Sequence, residues 1–395
     1  MFRHTTGARP HWKETVTSQG LTFPDTPRPD GTRAPYWVDD AYYELSSEEV
    51  DYLEHATSQL HTMCVEAARY LTSGELGGLG LPDGSLELAA ASLASEPFTL
   101  YGRFDVAYGG GGDAKLLEYN ADTPTGLIEA AVCQWFWLED KFPGNDQYNS
   151  LHERLVRAWG RLNTPGARLH VAHLGSAPDE EWVTAAYLRD TADQAGLDTQ
   201  ALTMETIGWD ADRACFVDSD GGRIDTIFKL YPWEDMLAEP FGRHIAGDTT
   251  TWVEPVWKVL LSNKMLLVAL WRCFPGHPLL LPAATAPDVE LGPWWVSKPL
   301  HGREGANVTV RSPEGGDTNP GPYGPEGFVY QQYTRLPTFS GNRAVCGLWV
   351  VDGKPAGLGI RESDTLITDD YARFVPHIIA APRPDQATMA AWLDE

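Results

Sequence analysis

Two strand-like runs joined by consecutive glycines constrain this chain more than any other stretch. Leu100–Tyr108 and Ala114–Asn120 flank Gly109-Gly110-Gly111-Gly112-Asp113. Extended runs joined by a short Gly-rich link predict an antiparallel hairpin. The glycines also invite a phosphate-loop reading, but no Lys-Ser/Thr follows them as that loop requires. Centring the turn on the glycines sets Asp105 opposite Glu118 and Arg103 opposite Asn120. Side chains alternate faces along a strand, so all four project from one side.

Two directly opposed carboxylates repel unless a cation sits between them. Asp, Glu and Asn supply oxygen ligands of the kind Mg²⁺ takes from a protein, a few groups with phosphates completing its shell. Asp105, Glu118 and Asn120 are therefore candidate metal ligands, and Arg103 is placed to steady a phosphate or a developing negative charge. The alternative is a surface hairpin carrying an exposed charge ladder.

The chain around the hairpin is long enough for a large enzyme or two domains, at 395 residues. With 55 acidic against 30 basic side chains it carries a net charge of −25. That sign repels phosphate backbones and argues against a nucleic-acid partner; it attracts cations, amines among them. No apolar run approaches the roughly 18 residues of a membrane span; Val259–Cys273 is interrupted by Lys264 and Arg272. The N-terminus shows no apolar signal region. The five cysteines are scattered without a C-x-x-C pair, which argues against a disulfide framework and fits the cytoplasm.

Residues 1–45, rich in Pro and aromatics, read as an extended lead-in. Ser46-Ser-Glu-Glu49 is a capping-box pattern opening an amphipathic helix that closes at Gly74. Ile128–Asp140 and Glu254–Cys273 read as further helices. Between them, from Arg168 to Tyr231, strands alternate with a helix over Asp179–Ala195, which predicts a small parallel α/β unit. It lacks G-x-G-x-x-G and so is no dinucleotide binder. From Trp294 onward the chain is strand-rich, with a Pro/Gly-rich loop over 312–327. Three blocks result: 1–160, 161–250 and 251–395.

Two lysines add to the hairpin. Lys298 ends an apolar strand and precedes a loop with Gly302 and Gly305, whose backbone N–H groups can fold over phosphates. Lys264 follows Asn263 within an apolar helical stretch, where a lysine ordinarily snorkels.

Taken in order, Tyr36-Trp37, Gly102-Arg-Phe-Asp105, Leu117-Glu-Tyr-Asn-Ala-Asp-Thr-Pro124, Glu254-Pro-Val-Trp257 with Asn263-Lys264, Val296-Ser-Lys-Pro-Leu300 with Gly302-Arg-Glu-Gly305, Val329-Tyr-Gln-Gln332, and Gly359-Ile-Arg361 through Arg373-Phe-Val-Pro-His377 resemble the synthetase domain of glutathionylspermidine synthase and its stand-alone relatives. The resemblance spans nearly the whole chain. It implies a mixed α+β and α/β architecture: an ATP-grasp fold in permuted order with a small pre-ATP-grasp α/β unit. It implies Mg²⁺ on Asp105, Glu118 and Asn120, and Arg103 stabilising an acyl-phosphate transition state. Lys264 and Lys298 become the ATP-phosphate lysines, the Gly302–Gly305 loop a lid, Gln331-Gln332 the adenine-binding strand, and Arg361 a second phosphate-contacting arginine. The amidase domain of bifunctional members is missing, so only ligation is expected. The expected reaction joins a small-molecule or peptide carboxylate to an amine, a polyamine-like one among the candidates, with ATP and Mg²⁺. Glu234 and Asp235 are candidates to hold a cationic amine. Two other readings compete: a carbohydrate-active hydrolase using paired carboxylates, for which the 15 Trp would suit sugar stacking, and a non-catalytic nucleotide-binding module.

Overall fold

The hairpin forms in the predicted register. In the computed structural model, which describes residues 1–28, 30–162, 168–176 and 179–380, strand Tyr101–Ala107 pairs antiparallel with Lys115–Asn120. Asp105 opposes Glu118 and Arg103 opposes Asn120. Beyond Asp105 the register slips, so that Val106 faces Leu116 rather than Leu117. A bulge of this kind sharpens the local twist and re-aims the side chains beside it.

The hairpin is no free-standing ribbon. Tyr101–Ala107 is buried along its whole length and pairs on its other edge with Asn342–Val351, which pairs in turn with Lys354–Ser363 and then Arg373–Val375. One antiparallel sheet therefore unites sequence from both ends of the chain. Helix Ser47–Leu71 covers it, and both hydrogen bonds of the predicted capping box with Ser46 and Glu49 are present. Its Val50, Leu53, Leu60 and Leu71 are buried, each worth about 1.5–3 kcal/mol in apolar transfer.

The predicted parallel unit is a four-stranded sheet in the order Thr251–Val253, Thr226–Leu230, Leu169–His173, Thr199–Thr203. Every pairing in it is parallel. Thr226–Leu230 is fully buried, as a strand covered on both faces must be. A further antiparallel sheet runs Ala283–Ala284, Phe328–Gln332, Trp295–Pro299, Thr309–Ser312, Gly315–Thr318.

Several local expectations need correction. The lead-in is not merely extended. Trp12–Ser18 is helical, while Phe2–Thr5 and Ala41–Leu45 join His377–Ile379 in a small sheet. The stretch from Ile128 opens as a π-helical turn over Glu129–Cys133 before Gln134–Lys141 continues as α-helix. Part of the 312–327 loop is the strand Gly315–Thr318. The single helix expected over Glu254–Cys273 is a 3₁₀ turn and two helices, Val259–Ser262 and Met265–Cys273. Asn263 makes the break. Its backbone is extended, with ψ 133°, and its side chain accepts the Met265 N–H and donates to Leu79 O, both at 2.9 Å. A side chain that bonds local backbone offers an alternative to the helix ladder. Apolar periodicity was continuous across this point and could not reveal it. Nor was the helix Ser85–Ala94 anticipated.

Candidate active site

The side chains singled out on the hairpin form one network, buried at Arg103 and Asp105 and half-buried at Glu118 and Asn120. Arg103 donates from Nε to Asp105 Oδ1 at 2.7 Å and from Nη2 to Oδ2 at 3.1 Å, while its Nη1 donates to Thr125 O at 2.5 Å. Arg361, arriving on the Lys354–Ser363 strand, donates from Nη2 to Asp105 Oδ2 at 2.6 Å. Asn120 Nδ2 lies 3.3 Å from the same oxygen and 3.0 Å from Glu118 Oε1. The Nζ of Lys264 is 3.3 Å from Glu118 Oε2. Asp105 is 3% exposed, which disposes of the exposed charge ladder.

The repulsion between the opposed carboxylates is met by these cations. Burial works against the charge of Glu118, but Lys264 and Lys298 outweigh it and hold the carboxyl well below its ordinary range. Burial likewise works against Arg103, and Asp105 overcomes it, holding the guanidinium protonated above its usual value. The break at Asn263 matters here: it lets the Lys264 N–H donate to Leu300 O at 2.9 Å while the side chain reaches Glu118. This lysine does not simply snorkel.

Lys298 donates to Leu117 O at 2.7 Å and to Gln331 Oε1 at 2.9 Å. Gln331 Nε2 donates to Leu116 O at 2.9 Å. The end of the Trp295–Pro299 strand and the Phe328–Gln332 strand are thus fastened to the hairpin backbone. Gln332 lies opposite Trp295, its backbone N–H donating to Pro282 O at 2.8 Å. Burial lowers the Lys298 ammonium to about 8, against the pull of Glu118. In the loop after Lys298, Gly305 has φ +70°, and a Cβ there would stand 2.7 Å from Thr368 O; only glycine fits both demands. Gly302 packs against the Pro299 ring.

The loop's Arg303 pairs with Glu234. Arg303 Nη2 donates to Glu234 Oε1 at 2.9 Å and Nη1 to Thr123 Oγ1 at 3.2 Å. Burial would raise the Glu234 carboxyl, but Arg303 prevails and lowers it. Glu234 is therefore tied to the loop. Neighbouring Asp235 is pushed up, by burial first and by Glu234 second.

Other residues at the site had no individual signal in the sequence. Trp349 stands opposite Arg103 and Gly347 opposite Asp105 across the neighbouring strand. The guanidinium carbon lies 5.7 Å from the Trp349 ring centroid, and a Cβ on Gly347 would come within 2.9 Å of Arg103 Cδ. Gly347 leaves the berth in which Arg103 lies. Under the role proposed below for Arg103, Gly347→Ala is expected to lower kcat by about 10²-fold through misplacement of that side chain, with KM for ATP unchanged. An unchanged kcat would show that the berth does not set the position of Arg103. Glu129, on the π-helical turn, accepts from Tyr36 OH at 2.5 Å. Its carboxyl is raised to about 7 by burial and by Glu180, and its Oε2 has no hydrogen-bond partner among the described residues.

Among the described residues no group of three or more His, Cys, Asp or Glu side chains is arranged to hold a metal. The hairpin set differs in that its third donor is an amide. Two carboxylates and an amide on one strand face fit Mg²⁺ by donor type. Asn120 presents its Nδ2 to both carboxylates; the same side chain turned over would present an oxygen.

The glutathionylspermidine synthase preATP-grasp family model matches residues 3–380. A Haemophilus influenzae protein provisionally named an acid–amine ligase is 38% identical over 386 residues, covering 93% of this chain and 97% of its own. The trypanothione synthetase of Crithidia fasciculata is 28% identical over 380 residues, covering 87% of this chain and 58% of its own. The bifunctional glutathionylspermidine synthetase/amidase of Escherichia coli is 27% identical over 372 residues, covering 86% and 59%. Among solved structures, a glutathione synthetase-like effector of Globodera pallida matches with a TM-score of 0.52 at 8% identity, covering 95% of this chain and 100% of that one, a likeness of fold alone.

Proposed function

Because the chain belongs to the glutathionylspermidine synthase family, we propose that it is an ATP-grasp ligase that joins a carboxylate to an amine. ATP phosphorylates the acid to an acyl phosphate, releasing ADP; the amine attacks the acyl carbon and phosphate leaves, giving the amide. One observation supports this reading above the others: three separated stretches converge on the hairpin, through Arg361 on Asp105, Lys264 on Glu118 and Lys298 on the Leu117 carbonyl. Phosphoryl transfer asks chiefly for charge neutralisation and positioning, and this face concentrates both. A hydrolase with paired carboxylates needs one acid free to give a proton, whereas both carboxylates here are held by cations.

In this reading Asp105, Glu118 and Asn120 hold Mg²⁺, which when bound would neutralise phosphate oxygens of ATP. Lys264 and Lys298 bind the phosphates, the Gly302–Gly305 loop closes over them, and Gln331-Gln332 lie along the adenine. Arg103 and Arg361 take the charge that develops as the acyl phosphate forms. The blocks 1–160 and 251–395 build the permuted ATP-grasp core, and 161–250 the pre-ATP-grasp unit. For the amine we favour a cation, on the −25 net charge and on the trypanothione and glutathionylspermidine synthetases among the relatives. A cytoplasmic protein would suit this chemistry, and no described helix is long and apolar enough to cross a membrane.

The direct test offers Mg·ATP with a panel of acids crossed with amines and reads ADP together with product mass. ADP release without any amide of the expected mass would sink the ligase. Spermidine, a neutral amine and an amino acid offered together separate the amine classes: a cationic nucleophile should lead most at low salt, where screening is weakest. A second expectation concerns Lys298. Since its ammonium loses its proton near pH 8, the Kd for Mg·ATP should rise as pH passes from 7 to 9. Lys298→Ala should weaken binding by about 10- to 100-fold, the worth of a charged hydrogen bond, and flatten that profile. Wild-type affinity in Lys298→Ala would remove Lys298 from the nucleotide site.

A further inference from the structure

The two arginines proposed to meet the acyl phosphate are bound to the very carboxylate proposed to bind the metal. A carboxylate offers about four acceptor positions. On Asp105, Oδ2 accepts from Arg103 Nη2, Arg361 Nη2 and Asn120 Nδ2 at 3.1, 2.6 and 3.3 Å, more donors than its two lone pairs, while Oδ1 accepts from Arg103 Nε at 2.7 Å. The third arm of Arg103 is spent on Thr125 O. Arg103 and Asp105 are both less than a tenth exposed, so water does not readily replace either partner. A cation on Oδ2 must displace donors, and an anion on the arginines must draw them from Asp105. Each event lowers the cost of the other.

We infer that Asp105 stores Arg103 and Arg361 in the metal-free protein and releases them when a cation occupies it, so that the anionic substrate is received only after the metal–nucleotide. This rests on the proposed metal site and adds to it an order of binding. Glu118 serves as the internal contrast. It stands in the same charged cluster, but its partners are Lys264 and Asn120, so removing its charge frees neither arginine. Coupling of this kind is reciprocal and commonly amounts to about 5- to 150-fold in affinity.

The test uses sulfate as the anion and calorimetric titration as the readout, with no turnover involved. Sulfate is titrated into metal-free wild type, Asp105→Asn and Glu118→Gln, and into wild type saturated with Mg·ADP, which leaves the terminal phosphate position open. Asp105→Asn should bind sulfate about tenfold more tightly than wild type, a gain in the range typical of such coupling, whereas Glu118→Gln should change little. Wild type loaded with Mg·ADP should show a similar gain. That result would not follow from net charge, because Mg·ADP is itself anionic and by charge alone would repel sulfate. Equal gains in the two variants would reduce the effect to plain charge removal and overturn the inference. So would sulfate binding indifferent to Mg·ADP, and this arm decides alone should Asp105→Asn not fold. Failure of Mg·ADP to bind at all would bring down the nucleotide site and this inference together; binding without coupling would bring down the inference only.

Discussion

Asp105→Asn should reduce ATP-dependent amide formation by about 10³-fold, at the upper end of what the loss of one aligned electrostatic group costs. The size follows from the number of roles converging on one carboxylate: a proposed metal ligand, the partner of Arg103 through two hydrogen bonds, and the partner of Arg361. Groups acting as a unit are not additive. The double variant Asp105→Asn with Arg103→Ala should therefore fall far less than the product of the single losses. Turnover of Asp105→Asn within tenfold of wild type, measured as ADP release, would refute the role assignment. Stability gives an independent reading. The facing carboxylates invite the expectation that removing one relieves repulsion and raises the melting temperature. The geometry reverses that expectation, since Arg103, Arg361 and Lys264 already neutralise the pair. Removing Asp105 leaves a buried guanidinium without its counter-charge, so the melting temperature should fall.

The features legible in the sequence are those that a short stretch determines by itself. Hairpin register follows from two runs and a turn, so the pairing of Asp105 with Glu118 could be written down in advance. The capping box at Ser46 and the parallel unit, with its alternation of strands and one helix, are local patterns of the same kind. What escaped depends on contacts between distant segments. Nothing near Asn263 says that its amide will bond Leu79 O, nearly two hundred residues earlier, and so break a helix whose apolar pattern runs on unbroken. Gly347 reads as one glycine in a strand; its purpose exists only because Arg103 lies against it. Glu234 reads as one of two adjacent acids, and its partner, Arg303, is sixty-nine positions away. The resemblance brought Arg361, Lys264 and Lys298 to the site before any distance was known, because ordered motifs carry tertiary information that local patterns lack. It was silent on how these groups hold one another when no substrate is present.

Asp122→Asn should destabilise the protein by about 3–5 kcal/mol, the usual cost of removing one partner from a buried ion pair. Asp122 lies just past the hairpin strand Lys115–Asn120. Lys229 lies in one of the two inner strands of the parallel sheet, and both side chains are fully buried. Lys229 Nζ is 2.8 Å from Asp122 Oδ1 and donates to Tyr231 O at 2.7 Å, while Asp122 Oδ2 accepts the Trp233 N–H at 2.8 Å. The pair fastens the end of the hairpin strand to the parallel sheet. Burial raises the Asp122 carboxyl and lowers the Lys229 ammonium in spite of their mutual attraction, so the surroundings penalise either charge left alone. That separates the variants. In Asp122→Asn the ammonium stays buried with only neutral acceptors. The double variant Asp122→Asn with Lys229→Met leaves no charge and should recover much of the loss, as buried pairs replaced by neutral groups often do. Lys229→Met alone leaves a carboxylate that can escape by binding a proton. A folded-state carboxyl raised above its unfolded value is favoured at low pH and loses ground as pH rises. The deficit of Lys229→Met against wild type should therefore shrink as pH falls from 8 towards 5, and thermal melts across that range check it. A deficit that stays constant, or a double variant as unstable as Asp122→Asn, would mean that packing around these side chains, rather than their charge, holds the hairpin to the sheet.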